Sequence, residues 1–325
     1  MSGTDSAAEK PRILVISTAG LERFIPALGA IRANHRDAKI ILLTARVTSA
    51  FAATVPYFDD VWTDETDGMF HLSKLWALRK RLHGLMNGRD FTRVYDLDST
   101  PHSKRLFWLM YGSRALPLNR RDIPWSGAIA GTALSHEDPR RGAMHLVDRW
   151  AAQLKIAGIG AILRPELSWV ARQVTSFAVP FRMTAPFVMI AAVPGPGAPW
   201  PAERYGELAR GLSAQGQIPV LVGLDVSSVL RQAIQDHCDN IVDLSGSTTV
   251  NELAFLSWAA TAAVGPDNGI MHLTAVAGCR SLVMYNNASD PALVGQRGAK
   301  LTILRRPQLA EIPVGEVLAA VMSQK

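Results

Sequence analysis

The sequence predicts an α/β protein made of two doubly wound parallel sheets in tandem. Three observations carry that expectation. Short apolar runs of buried-strand type alternate with segments of helical spacing. That alternation lapses in an irregular middle and then restarts. The chain has 325 residues, beyond the ~250–300 at which a single core stops growing. We read residues 12–165 and 187–325 as Rossmann-like domains, 166–186 as a connector, and 1–11, polar and rich in small residues, as a disordered lead-in.

In the first half, Ile13–Ile16 is the opening strand and Ser17–Leu21 a loop of small residues. Phe24, Ala27, Leu28 and Ile31 mark one face of a helix. Ile40–Thr44 is the second strand, Thr48–Val55 a short helix and Asp60–Thr63 the third strand. Leu75, Leu78, Leu82 and Leu85 form the core stripe of a further helix. Arg93–Leu97 is the fourth strand. Arg114–Arg141, rich in Pro, Gly, Arg and Trp, reads as loop, and a polar helix spans about Met144–Ala157. One short element is expected near Trp169–Val174.

The second half opens on the strongest strand, Phe187–Val193. Pro194–Pro199 is a loop, and Pro201 suits the start of a helix whose apolar face is Tyr205, Leu208, Ala209 and Leu212. Pro219–Gly223 is the next strand, Val229, Leu230 and Ile234 mark a helix, and Ile241–Leu244 is a strand. Thr249 and Glu252 form a capping box for a helix to about Ala260. A final amphipathic helix covers Val314–Met322.

Between these lies the stretch with the most chemistry. Ala262–Gly265 reads as a buried strand; Pro266, Asp267, Asn268 and Gly269 break it; a helix with Ile270, Leu273 and Ala277 follows; Gly278 stops it; and Ser281–Tyr285 is the next strand. A helix start at the carboxyl end of a parallel strand binds anions, because its first amides lack internal partners and the helix dipole is positive there. Gly269 has no side chain to keep a phosphate off the backbone. His272, four residues after Asn268, is expected to face the same crevice. The candidate ligand-site residues are Asp267, Asn268, Gly269, Ile270 and His272, with Pro194, Gly195 and Gly223 at the neighbouring strand exits. In open parallel sheets ligands bind outside the carboxyl ends of the strands, and two such sheets in tandem offer a cleft for a donor on one side and an acceptor on the other.

Bulk composition narrows the partners. A 48% hydrophobic and 19% charged chain suits a globular protein with a large core. No apolar run approaches the ~20 residues of a membrane span, and the N-terminus lacks the apolar core of a signal peptide, so we expect a cytoplasmic protein. Cys238 and Cys279 have no metal-ligand spacing and read as free core thiols. The net charge is +6, carried in small groups such as Arg79–Arg81, Arg120–Arg121, Arg140–Arg141 and Arg305–Arg306. These suit a nucleotide diphosphate, an anionic glycan or glycolipid, or peripheral contact with the inner face of the cytoplasmic membrane. Nucleic acid is not expected, since the basic residues are not interleaved with aromatics.

The run Gly265–Tyr285, followed by Ser289-Asp290-Pro291, resembles the signature of glycosyltransferase family 9, the ADP-heptose:lipopolysaccharide heptosyltransferases, with Asn268 where that family usually has Thr. Weaker resemblance covers Ile13–Ile16, Pro26–Leu28, Ala30–Arg32, Pro56–Trp62, Tyr95–Leu97, Trp200–Tyr205 and Pro219–Gly223. It implies the GT-B arrangement, two Rossmann-like domains facing across a cleft. It also implies an inverting, metal-independent transfer of a sugar, heptose being the expected one, from a nucleotide diphosphate to a lipopolysaccharide core or other cell-envelope glycan. No cofactor or metal is expected; Asp96-Leu97-Asp98 has an Asp-x-Asp pattern, but at a strand end in the half away from the donor.

Two departures stand out. The carboxylate that the family carries in its first loop, proposed there as the base, is replaced by Ala19-Gly20; Glu22, two residues on, is the substitute the sequence offers, or else an ordinary first-turn acid favoured by the helix dipole. Ala198-Pro199 stand where many members carry a Lys before the Trp-Pro pair. These departures keep a second function open, a nucleotide-sugar-binding or scaffold relative without turnover. An unrelated double-sheet epimerase ranks last.

Overall fold

The computed structural model describes residues 10–18, 25–64, 91–117, 119–160, 167–174, 177–223 and 226–323. Most of the expected lead-in, Glu22 with the loop around it, and the Leu75–Leu85 stripe lie outside the described residues. The chain divides into two compact units, Met1–Arg164 and Pro165–Lys325. The segment read as a connector carries a short helix, Ser168–Gln173, that packs against the helix Val250–Ala259 inside the second unit.

The first unit holds strands β1 (Arg12–Ile16), β2 (Lys39–Ala45), β3 (Asp60–Asp64), β4 (Arg93–Asp96), β5 (Trp125–Gly127) and β6 (Leu134–Ser135) in the order β3-β2-β1-β4-β5-β6. Every pairing is parallel. Continuous apolar runs such as Leu14 to Ile16 and Ile40 to Leu43 are fully buried, as expected of a sheet covered on both faces. Leu14, Ile16, Ile41, Leu43 and Val94 meet Leu106, Phe107 and Met110 of the helix Pro101–Tyr111.

The second unit repeats the plan. Strands β7 (Phe187–Ala191), β8 (Ile218–Val222), β9 (Val242–Asp243), β10 (Ala262–Pro266), β11 (Ser281–Tyr285) and β12 (Leu301–Arg305) run in the order β12-β11-β10-β7-β8-β9, all parallel. Val188 and Ile190 of β7, Leu221 of β8, Val264 of β10 and Met284 of β11 bury against the helices Ala202–Ala214, Ser228–Gln235 and Val314–Met322. On the other face, Ser257 of the helix Val250–Ala259 donates to the Met189 sulfur at 3.8 Å. Both orders reverse direction at their first strand, so each sheet has one switch point: β1/β4 in the first, β7/β10 in the second. That is where a doubly wound sheet places ligands.

Parts of the expectation are corrected. Arg114–Arg141, read as loop, contributes β5 and β6, which are too short to show strand periodicity. The helix Pro101–Tyr111, with its capping box between Thr100 and Ser103, and the edge strand β12 are additional elements. Among the described residues no helix is long and apolar enough to cross a membrane. Cys238 and Cys279 are buried and free; burial pushes the Cys279 thiol up to about 12.

Candidate functional site

Three chain segments meet at the switch point of the second sheet. β7 leaves the sheet at Ala191 and turns through Val193, Pro194 and Gly195. β10 ends at Pro266 and passes through Asp267 and Asn268 into the helix Gly269–Val276. β11 ends at Tyr285 and enters the loop Asn286–Ser289.

The helix start is fixed by Asn268, whose extended backbone (φ −146°, ψ 173°) makes it the N-cap. Its Oδ1 accepts from the Met271 amide at 3.1 Å. Its Nδ2 donates to the Val193 carbonyl at 2.9 Å. One side chain thus closes the third amide of the helix and ties that helix to the β7 exit. That side-chain nitrogen is committed to the Val193 carbonyl. The amides of Gly269 and Ile270 come before the one that Asn268 satisfies. Gly269 is half-buried and Ile270 buried, so Gly269 is the more exposed of the two.

Asp267 is 4% exposed. Its Oδ1 accepts from Gln296 Nε2 at 2.9 Å and its Oδ2 from Ser289 Oγ at 2.7 Å. Gln296 is oriented in turn by the Tyr285 hydroxyl, which donates to its Oε1 at 2.7 Å. His272 brings Nε2 to 3.5 Å from Asp267 Oδ1 and is itself buried. His272 therefore lies beside Asp267, five residues back, because the extended Asn268 (φ −146°, ψ 173°) turns the strand exit back toward the helix. The chemistry is that of a buried carboxylate held in place by hydroxyl and amide donors.

The glycines set the clearance. A Cβ on Gly195 would lie 2.3 Å from the Asp267 carbonyl oxygen, so the β7-exit loop crosses directly over the β10 exit and only glycine fits there. A Cβ on Gly223 would fall 2.5 Å from Val226 and 2.7 Å from Val193 side-chain carbons; Gly223 is buried and lets those side chains close over the β8 exit. Pro194 is exposed and Gly195 half-buried, and Asn286 Nδ2 donates to the Pro196 carbonyl at 2.8 Å to hold the loop from the β11 side.

The site therefore brings together Gly195, Asp267, Asn268, Gly269, Ile270 and His272, with Pro194 on the exposed rim. Gly223 stands at the next strand exit and touches Val193 of the same loop. Ser289, Gln296 and Asn286 were not among the expected residues. Ser289 had a signal in the Ser289-Asp290-Pro291 run; Gln296 and Asn286 had none, since tertiary folding alone brings them in. Trp200, at the expected helix start, is 1% exposed and donates from Nε1 to the Ile312 carbonyl at 3.1 Å. It anchors the helix Ala202–Ala214 rather than facing a ligand. Among the described residues no group of three or more His, Cys, Asp or Glu side chains is placed to hold a metal.

Comparison with known proteins bears on the family and the fold. Residues 172–314 match glycosyltransferase family 9 (heptosyltransferase). A segment of 119 residues is 31% identical to lipooligosaccharide heptosyltransferase 2 of Haemophilus influenzae, covering 34% of this chain and 33% of that protein; the match thus spans about a third of the curated relative. The structure of E. coli ADP-heptose lps heptosyltransferase II superposes with a TM-score of 0.69 at 18% identity, over 95% of this chain and 97% of that one. E. coli heptosyltransferase WaaC with ADP gives 0.70 at 15% identity, over 94% and 97%. Residues 172–314 are thus similar to the glycosyltransferase family 9 domain, and the chain has the two-sheet fold of the solved heptosyltransferases.

Proposed function

We propose that the protein is a glycosyltransferase that binds a nucleotide-diphosphate sugar, ADP-heptose being the leading donor, at the switch point of the second sheet. It passes the sugar to a hydroxyl of a lipopolysaccharide core or other cell-envelope glycan, with inversion and without a metal. The observation that carries this reading is the helix start at Gly269. A diphosphate placed there meets the amides of Gly269 and Ile270 and the positive end of the helix dipole. When the bond from the sugar to the diphosphate breaks, negative charge develops on the departing oxygen, and fixed amides stabilise it without reorganising. By analogy with oxyanion-hole donors, one such contact is worth about 10²–10³ in rate. Support for an ADP donor comes from the WaaC structure described as holding ADP. We place the reaction in the cytoplasm, with peripheral contact at the inner membrane face through the basic groups.

Two departures favour a second reading, a nucleotide-sugar-binding relative without turnover: Ala19-Gly20 in the first loop and Pro199 before Trp200. Titration calorimetry with ADP-heptose, followed by an assay of ADP release with heptose-deficient lipooligosaccharide as acceptor, separates the two. Binding with release supports the transferase. Binding without release supports the second reading, and no heat with any nucleotide-sugar removes both.

A further inference from the structure

The helix Pro101–Tyr111 divides cleanly into two faces. Leu106, Phe107 and Met110 enter the core of the first sheet. On the opposite face Lys104, Arg105 and Trp108 are exposed. Residues three and four apart share a helix face, so Trp108 sits between the two cations. Its side chain is 48% exposed, which is uncommon for so large an apolar group. The indole stands edge-on to Phe107, with ring centroids 6.5 Å apart, and contact with a buried ring steadies it. The chain then passes through the 3₁₀ turn Gly112–Ala115, where Arg114 is exposed, to Leu116, also 48% exposed. From Ser99 to Arg121 the sequence holds five Lys and Arg and no Asp or Glu, so this segment brings no acid of its own to balance the cations. Trp258 in the second unit is a contrast. It is 41% exposed, but no Lys or Arg lies between Arg231 and Arg280.

Exposed apolar side chains rimmed by charge mark an interaction surface, and the sign of the charge selects the occupant. A second copy docked about a two-fold axis would set these cations against their own counterparts. An anionic bilayer suits both parts of the face. Indole rings settle at the headgroup level, and Lys and Arg lay their stems along apolar surface while their heads meet lipid phosphates. We infer that the outward face of the helix Pro101–Tyr111, continued to Leu116, docks the protein on an anionic bilayer. Trp108 and Leu116 enter the headgroup layer, and Lys104, Arg105 and Arg114 meet the phosphates. The inference rests on the peripheral membrane contact proposed above and deepens it by naming the surface. The proposed donor site, in the other unit, takes no part.

The full chain is sedimented with phosphatidylcholine vesicles made with and without phosphatidylglycerol. Wild type, the double variant Lys104→Gln/Arg105→Gln, Trp108→Ala and Trp258→Ala are compared, with a melting temperature for each. Wild type is expected to pellet with the phosphatidylglycerol vesicles alone, and less so as salt rises. At about fivefold per cation, the double variant binds those vesicles about 25-fold more weakly. Trp108→Ala binds roughly tenfold more weakly, from the apolar contact it loses. Trp258→Ala binds as wild type does, and all four melt alike. Absence of wild type from the pellet overturns the inference, as does equal binding to both kinds of vesicle. Undiminished binding by the double variant or by Trp108→Ala overturns it too, as does an equal loss in Trp258→Ala. Self-association of wild type that Trp108→Ala abolishes would assign the face to a second copy instead. ADP-heptose calorimetry on the same samples keeps the two readings apart. Donor binding without vesicle binding overturns this inference alone, and vesicle binding without donor binding overturns only the transferase reading.

Discussion

Asn268 does two things with opposite ends of one amide: its oxygen caps a helix and its nitrogen holds the Val193 carbonyl. Asn268→Ala loses both. A lost cap costs about 0.5–2 kcal/mol, and a buried carbonyl left without its donor adds about 1–3. We expect urea denaturation to report a loss of about 1.5–5 kcal/mol from these terms. Asn268→Asp restores the cap but sets a carboxylate against the Val193 oxygen, so it should not recover wild-type stability at neutral pH. Full recovery would show that the nitrogen contributes nothing. At the other switch point, Asp96 is pushed up to about 7, chiefly by burial and opposed by the Ser99 amide and Ser103; the Asp98 charge adds to the rise and Arg141 lowers it. The unfolded chain ionises near 3.8, while the native state keeps its proton. The stability this provides is therefore complete below about pH 4 and is lost as pH rises through about 7, a change on the order of a few kcal/mol. Asp96→Asn removes that dependence, so its stability should gain on wild type between pH 4 and 7.5. A constant difference across that range would contradict the raised value.

At the scale of elements, the close crossing of the β7-exit loop and the β10 exit is the tightest constraint on the proposed donor site. Gly195→Ala places a carbon against a backbone oxygen, an atom that cannot swing aside. We predict at least a tenfold loss of ADP affinity by calorimetry and a lower melting temperature. Gly315→Ala, in the helix Val314–Met322 with nothing within 4 Å of its added carbon, should leave affinity intact and gain up to ~1 kcal/mol from helix propensity. The elements that the sequence revealed are those whose signal is local. β7 and β10 are unbroken apolar runs because both faces of the sheet are covered, and the Asn268 cap and strand exit sit within a few residues of one another. β5 was hidden because Trp125–Gly127 is three residues long and follows a proline. β12 was hidden because a half-exposed edge strand, Leu301–Arg305, loses the continuous apolar run. The helix Pro101–Tyr111 begins in a polar run whose Thr100 and Ser103 cap is easily taken for a loop. In the site, Gln296 stayed out of sight because it reaches Asp267 from the loop beyond the short helix Pro291–Val294.

At the scale of the whole molecule, two sheets share one strand order and each unit has its own core. The unit Pro165–Lys325 contains every strand of its sheet and every residue of the proposed donor site. Expressed alone, it should unfold in one cooperative transition and retain ADP binding within about tenfold of the full chain, equivalent to about 1.4 kcal/mol. The central claim is that the amides at the start of the helix Gly269–Val276 receive the donor's diphosphate. Amide NMR of the labelled full-length chain during titration with ADP tests it most directly. The account predicts saturable shifts at Gly269 and Ile270, with smaller ones along Val193–Gly197. Saturable ADP binding that leaves Gly269 and Ile270 unmoved would contradict it.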